Sequence, residues 1–283
     1  MSVTVRSSGA VSLLNAIPSG VGSAMGVELP IEVTVKESES LGLMGDKTDG
    51  LIETTWQLLE GRLKRKSGIE YSIRSEVPAS RGLKSSSGLT IAFIAAVSRL
   101  FDMNLTDEEM VKISANSSIA AGVSVTGSYD DAYAALLGGI VLTDSRSGQL
   151  IRRTMPPDGI EVLIAYNARV KPIVDPSRYR DLRDESMVIW NLILHGGFGV
   201  PIVLNGLMVS AICGYDSKPL INGLAHGALS CGVSGTGPSI FFIAKDGDGH
   251  RLESILRSTS LRGWSTILVK PRVNRISVSC VGL

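Results

Sequence analysis

The sequence predicts an α+β fold built as two packed layers, and three observations carry that prediction. Alternation of period two in "SVTV", "PIEVTV" and "IEYSI" puts Val3 and Val5, then Ile31, Val33 and Val35, then Ile69, Tyr71 and Ile73 on one face each, as in the strands of a half-covered sheet. Helically spaced apolar residues separate and follow these strands. The same mixture restarts after "RTMPPDG", where Pro156, Pro157 and Gly159 break structure ahead of the strand-like "IEVLIAY". A boundary there divides the chain into residues 1–155 and 156–283, each with a sheet packed by helices.

The elements follow in order. "DGLIETTWQLLEGRLKRKSG" carries Leu51, Ile52, Trp56, Leu58, Leu59 and Leu63 at helical spacing and ends at a glycine. The run "LTIAFIAAVSRLF" is apolar nearly all round, so it is a helix buried on most sides. Its start is expected among Ser85, Ser86 and Ser87, because serine hydroxyls cap orphan N–H groups. Thr106 stands three residues before Glu109, a capping box that opens the next helix, which runs to Gly122. "VSVTGSYDDAYAALLGG" then reads as a loop carrying two acids. In the second half a strand precedes a long helix through "SRYRDLRDESMVIWNLILHGG", helices near "IVLNGLMVSAICG" and "LINGLAHGALSCG", and the strand "SIFFIA". The helix "HRLESILRSTS" and the strands "TILVKP" and "RISVSCV" complete it.

Composition narrows the function classes. Of 283 residues 44% are hydrophobic, enough to fill one large core or two ordinary ones, which excludes a disordered chain. Lys+Arg 28 against Asp+Glu 27 leaves a net charge of +1, so the balance gives no reason to expect nucleic acid or an anionic membrane as partner. Three scattered cysteines, Cys213, Cys231 and Cys280, and three dispersed histidines suggest neither a disulfide framework nor a zinc site. The N-terminus lacks the pattern of a signal peptide, and the most apolar run, Leu89 to Val97, is far shorter than the ~20 residues of a membrane span. A soluble cytoplasmic protein is expected.

Three segments could carry chemistry. "RGLKSSSG" suits either an ordinary helix N-terminus or a phosphate cradle, in which backbone N–H groups and the helix dipole attract an anion and Arg81 and Lys84 add whole charges. No G-x-x-x-x-G-K-[ST] loop exists in the chain. The nearest piece, "GDKTDG", puts Asp46 before the lysine, where it would repel phosphate, and reads as a surface turn. "CGVSGTGPSIFF" offers Ser234, Gly235, Thr236 and Gly237 as a second backbone nest. "TGSYDDAYAALLGG" offers Asp130 and Asp131, either a solvated turn or carboxylates that accept or orient a hydroxyl. Phosphoryl transfer needs little beyond positioning, charge neutralisation and an oriented nucleophile, and the three segments supply those parts.

"PASRGLKSSSG" resembles the P-x-x-x-G-L-x-S-S-A phosphate loop of the GHMP kinases, "GVSGTGPS" resembles their third motif, and "SSGAVSLLNAIPSG" stands where their first belongs. Within that superfamily "SRGLKSSSG", "GVSVTGSYDDA" and "VLNGLMVSAICGYD" look most like the archaeal-type shikimate kinases. The resemblance implies a two-domain GHMP kinase fold, with an N-terminal ATP-binding domain like ribosomal protein S5 domain 2 over 1–155 and a ferredoxin-like C-terminal domain over 156–283. It implies ATP and Mg2+ as cofactors and phosphorylation of shikimate in chorismate and aromatic amino acid synthesis. By the same resemblance the phosphates lie on Arg81, Gly82, Leu83, Lys84, Ser85, Ser86 and Ser87, and Ser86 matches a magnesium contact. Asp130 matches the catalytic aspartate, although the spacing to Gly138 and Gly139 suits Asp131. Ser234, Gly235, Thr236 and Gly237 line the cleft.

Two departures from the family pattern stand out. Ala10 occupies the place of the first-motif lysine of mevalonate-type enzymes, and no acid precedes the aspartates where those enzymes keep a magnesium-binding glutamate, Asn116 being the nearest polar residue. A shikimate carboxylate calls for a guanidinium or ammonium. Arg81 and Lys84 are candidates, whereas Arg178, Arg180 and Arg183, alternating with acids, read as a solvated face. His195 reads as a helix-end residue. Homoserine or a mevalonate derivative as acceptor, and a silent nucleotide-binding regulator on the same fold, are the rival readings.

Overall fold

The computed structural model describes residues 1–45, 50–63, 65–78, 83–167, 175 and 177–281. In chain order the elements are β1 (Ser2–Leu14), β2 (Val21–Ser38), β3 (Gly42–Gly45), α1 (Gly50–Glu60), β4 (Gly68–Ser75), α2 (Ser85–Leu100), α3 (Asp107–Ala120), α4 (Tyr129–Leu137), β5 (Ile140–Asp144), β6 (Gln149–Thr154) and β7 (Ile160–Tyr166). There follow α5 (Ser177–Arg180), α6 (Arg183–Leu194), α7 (Gly199–Cys213), α8 (Lys218–Ala225), β8 (Ser230–Val233), β9 (Ile240–Lys245), α9 (Gly249–Thr259), β10 (Ser265–Val269) and β11 (Ser277–Val281).

The first sheet runs β11-β1-β2-β4-β3, with β5 on the first half of β2 and β6 outside β5. The alternation seen in the sequence is the alternation of burial. Val3, Val5, Ile31, Val33, Val35 and Ile69 are fully covered on the face that receives α1, α2, α3 and α4. The long, nearly all-apolar α2 is the centre of that layer, with Ile91, Phe93, Ile94 and Val97 buried. The second sheet, β10-β7-β9-β8, is antiparallel throughout and alternates faces: Phe241 joins the core shared with β1, while Phe242 joins Leu163, Leu220 and Leu252 beneath α8 and α9. The last strand, β11, returns to the first sheet and pairs with β1 from Ser2↔Val281 to Arg6↔Ser277. Just before it, Arg272 donates to Ser8 Oγ and to the carbonyl of Ala135, 2.7 Å each, tying β1 to the end of α4.

Four sequence expectations change. The two-acid segment is a helix, α4, rather than a loop, so Asp130 and Asp131 sit in a first helical turn. The serines do not cap α2. Lys84 is its N-cap residue in the left-handed conformation (φ 63°), no side chain caps the end, and Ser85, Ser86 and Ser87 form the first turn. β5 and β6 carry no alternation for opposite reasons: Ile140–Leu142 is a short apolar run buried on both faces, and Gln149–Thr154 is exposed almost throughout. The long helix of the second half is broken at Asp181–Leu182 into α5 and α6. The capping box is present as expected, with Thr106 Oγ1 accepting from Glu109 N and the Glu109 carboxylate accepting from Thr106 N. "GDKTDG" falls largely outside the described residues.

Candidate active site

Four pieces of chain meet at one cavity of about 370 Å³. The end of β1 and the turn after it bring Ser12, Asn15, Ala16 and Ile17, the residue ahead of α2 brings Lys84, and the segment 122–128 with the start of α4 brings Val123, Val125, Asp130 and Asp131. The loop between β8 and β9 brings Gly235 and Thr236. Segments far apart in sequence are held together by hydrogen bonds. Asn15 N donates to Asn205 Oδ1 of α7 (3.0 Å), Asn15 Nδ2 donates to the Gly235 carbonyl (3.1 Å), and Ser12 N donates to Ser234 Oγ (3.2 Å). Tyr215 Oη and Gly237 complete the wall behind them, Tyr215 donating to the Thr236 carbonyl at 2.8 Å.

The centre of the site is an ion pair. Lys84 Nζ lies 2.7 Å from Asp131 Oδ2, with the side chains 15% and 2% exposed. A β-carbon on Gly235 would come within 2.9 Å of the same Nζ, and Gly235 has φ 62°, so the loop approaches the ammonium with the one residue that leaves it room. Asp130, 4% exposed, packs its carboxylate over Gly22 of β2, where a β-carbon would lie 3.0 Å from the carboxyl carbon. Burial, and then the neighbouring Asp131, push the Asp130 carboxyl up to about 7, against the downward pull of Lys84. Burial acts to lower Lys84, but Asp131 and then Asp130 outweigh it and hold the ammonium above the ordinary lysine range. Asp131 Oδ1 and Thr236 Oγ1 are buried without a hydrogen-bond partner among the described residues, although both residues line the cavity. Such groups are rare in folded proteins and fit a polar ligand.

Of the residues singled out in sequence, Lys84, Asp130, Asp131, Gly235 and Thr236 are brought together in the wall. Ser234 stands directly behind it, buried. Leu83 is buried, its carbonyl accepting from Ala10 N, so Ala10 lies against the segment that leads into α2. Ser85, Ser86 and Ser87 follow Lys84 in α2 and do not line this cavity. Arg81 and Gly82 lie outside the described residues. Asn116 is exposed on α3 and takes no part in the wall, and Arg178, Arg180 and Arg183 are exposed as expected. His195 caps the end of α6, its Nδ1 2.7 Å from the Asn191 carbonyl. Sequence reasoning missed Asn15, Asn205 and the 122–128 wall. Asn15, the one amide in the glycine- and serine-rich "SSGAVSLLNAIPSG", was the available signal.

Metal fit follows from the donors. Among the described residues no cluster of three or more His, Cys, Asp or Glu exists, which excludes a self-contained protein cage there. Two carboxylates at the cavity, one with an unpartnered oxygen, suit a Mg2+ that keeps waters and phosphate oxygens as its other ligands.

The model of the GHMP kinases N terminal domain matches residues 50–139, the stretch holding Lys84, Asp130 and Asp131. A shikimate kinase of Methanocella arvoryzae is 31% identical over 250 residues, covering 85% of this chain and 84% of the relative. A shikimate kinase of Methanothermobacter thermautotrophicus is 33% identical over 247 residues, covering 83% and 85%. Among solved structures, the homoserine kinase of Cytophaga hutchinsonii superposes with a TM-score of 0.73 over 98% of this chain and 97% of that one, at 18% identity, a likeness of fold. With Lys84 ahead of α2, twin acids and a glycine-rich third segment converging on one cavity, and with these relatives, the chain belongs to the GHMP kinases and, among them, to the archaeal-type shikimate kinases.

Proposed function

We propose that the chain transfers the γ-phosphoryl group of ATP to the 3-hydroxyl of shikimate, giving shikimate 3-phosphate for chorismate and aromatic amino acid synthesis. The observation that carries the reading is the Lys84–Asp131 contact, which closes the phosphate loop onto the twin acids at the wall of a single cavity. At about 370 Å³ that cavity is of small-molecule size, near the lower end of the ~300–1,000 Å³ usual for such sites.

The roles follow from the chemistry of each group. The uncapped first turn of α2, with Ser85, Ser86 and Ser87, follows Lys84 just beyond the cavity wall, and its amides and the positive end of the helix dipole would extend the anion site along the triphosphate. Lys84 neutralises charge on the transferred group, and Gly235 and Thr236 close over it from the second layer. Asp130, raised to about 7, is poised to take the proton of the acceptor hydroxyl at neutral pH. Asp131 keeps Lys84 in place, and it is the alternative base. Mg2+, held by Ser86, one of the aspartates, phosphate oxygens and water, would supply charge neutralisation across the phosphates. Domain limits of 1–155 for the nucleotide-binding unit and 156–283 for the second unit belong to the same reading, with β11 threading back into the first sheet.

An acceptor panel tests it. With ATP and Mg2+ present, kcat/KM for shikimate should far exceed that for homoserine and mevalonate. The reverse ordering would reassign the acceptor within the superfamily, and ATP binding without transfer to any of the three would make the chain a nucleotide-binding regulator.

A further inference from the structure

α7 is an unusual helix for a surface position. From Ser186 to Tyr215, through α6 and α7, the chain holds no Asp, Glu, Lys or Arg, although 19% of the whole chain is charged. One side of α7 is buried, with Ile202, Asn205, Gly206 and Val209 against β8 and the shared core. The opposite side is just as apolar and faces outward: Val200 is 67% exposed, Leu204 41% and Leu207 37%, with Ala211 exposed after them. Their spacing of four, three and four residues is that of a seam made for another helix, in which knobs from one helix enter holes of its partner. On α6, which packs against α7, Val188 and Leu192 are exposed as well.

The geometry points to a homodimer in which the Val200–Leu204–Leu207–Ala211 stripe of α7 packs against the same stripe of a second copy across a two-fold axis. The area supports a stable pair. The six exposed residues leave on the order of 500 Å² of apolar side chain, and a standard interface of ~800 Å² per partner at ~65% apolar, as in homodimers, needs about that much. A patch of this size is that of the largest apolar patch on a typical monomer, the kind that is often functional. The chemistry favours a second copy. A stripe without charge offers no electrostatic code for a different protein, and a two-fold contact requires only that the surface complement itself. A membrane surface is disfavoured, because helices that lie in the interface carry lysine or arginine on their polar face, and this helix has neither. The pairing bears on the site as well. Asn205, next to Leu204 but on the inner side of α7, holds Asn15 at the cavity, so a partner helix would brace the wall from behind.

Sedimentation velocity of the full chain at micromolar to tens of micromolar concentrations tests the inference. The wild type is expected to be a dimer. Val200→Lys and Leu204→Lys, both at exposed positions and each checked for native circular dichroism, should weaken dimerisation at least about tenfold, while Leu41→Lys, an equally exposed apolar site directly before the edge strand β3 of the first sheet, should leave it intact. A monomeric wild type overturns the proposal, as does a dimer that survives both α7 substitutions. A monomer that floats with phosphatidylglycerol-containing vesicles would overturn it in favour of a membrane contact.

Discussion

Replacing Asp130 by Asn should make the protein more stable at pH 8 while removing most of its turnover. Burial and the adjacent Asp131 raise the Asp130 carboxyl to about 7, against an ordinary aspartate range near 4. At ~1.4 kcal/mol per tenfold change in proton affinity, ionising this group costs the native chain on the order of 4 kcal/mol more than the unfolded one. The sign follows from proton counts. Between pH ~4 and ~7 the native state keeps a proton that the unfolded state has released, so stability falls as pH rises through that window and the full cost is present above it. Asn is neutral throughout and nearly the same shape. Lys84 and Asp131 readjust when their neighbour loses its charge, so about 2–4 kcal/mol of the cost should appear as a gain. Urea unfolding of the ligand-free protein, followed by circular dichroism at pH 4.5, 6 and 8, measures it. Wild type and variant should nearly coincide at the lowest pH and diverge steadily above. Parallel pH profiles, or a variant less stable at pH 8, would refute the assignment of a raised, buried carboxyl.

Three further outcomes follow from the same structure. Lys84→Met leaves Asp131 buried without its cation and should cost about 3–5 kcal/mol in urea unfolding at pH 8, with turnover falling at least about a hundredfold; unchanged ATP affinity and kcat would take Lys84 out of the phosphate site. Gly235→Ala places a β-carbon at φ 62° and 2.9 Å from Lys84 Nζ, so it should cost about 1–2 kcal/mol of stability and lower kcat, measured by unfolding and steady-state kinetics. Thr106→Ala removes the capping box of α3, far from the cavity; it should cost about 1 kcal/mol, seen as a small drop in Tm, with kinetics unchanged.

Alternation made the first part of β1 (Ser2–Arg6), the second half of β2, and β4 legible because one face of each is covered and the other is not. β5 escaped notice for the opposite reason, since Ile140, Val141 and Leu142 are all buried and show no period. The caps of α2 and α4 were illegible for a physical cause. Lys84 and Ser128 both enter their helices from the left-handed region without a side-chain cap, and neither residue type signals that conformation. Lys84, Asp130, Asp131, Gly235 and Thr236 could be picked out because charged and glycine-rich segments are conspicuous. Their meeting could not be read, and neither could the partners of Asn15, because its contact with Asn205 spans 190 positions and exists only once both layers are packed.

β1 has β2 on one side and β11 on the other. A ribosome delivers residues 2–14 long before 277–281, so during synthesis the strand that supplies Ser12 to the cavity has one flank of amides and carbonyls open to water or to other nascent chains. The first sheet therefore depends on β11, made long after its neighbour β1, for its completion. A truncated product ending before Ser277 would keep every residue of the cavity and yet carry an uncovered, adhesive border.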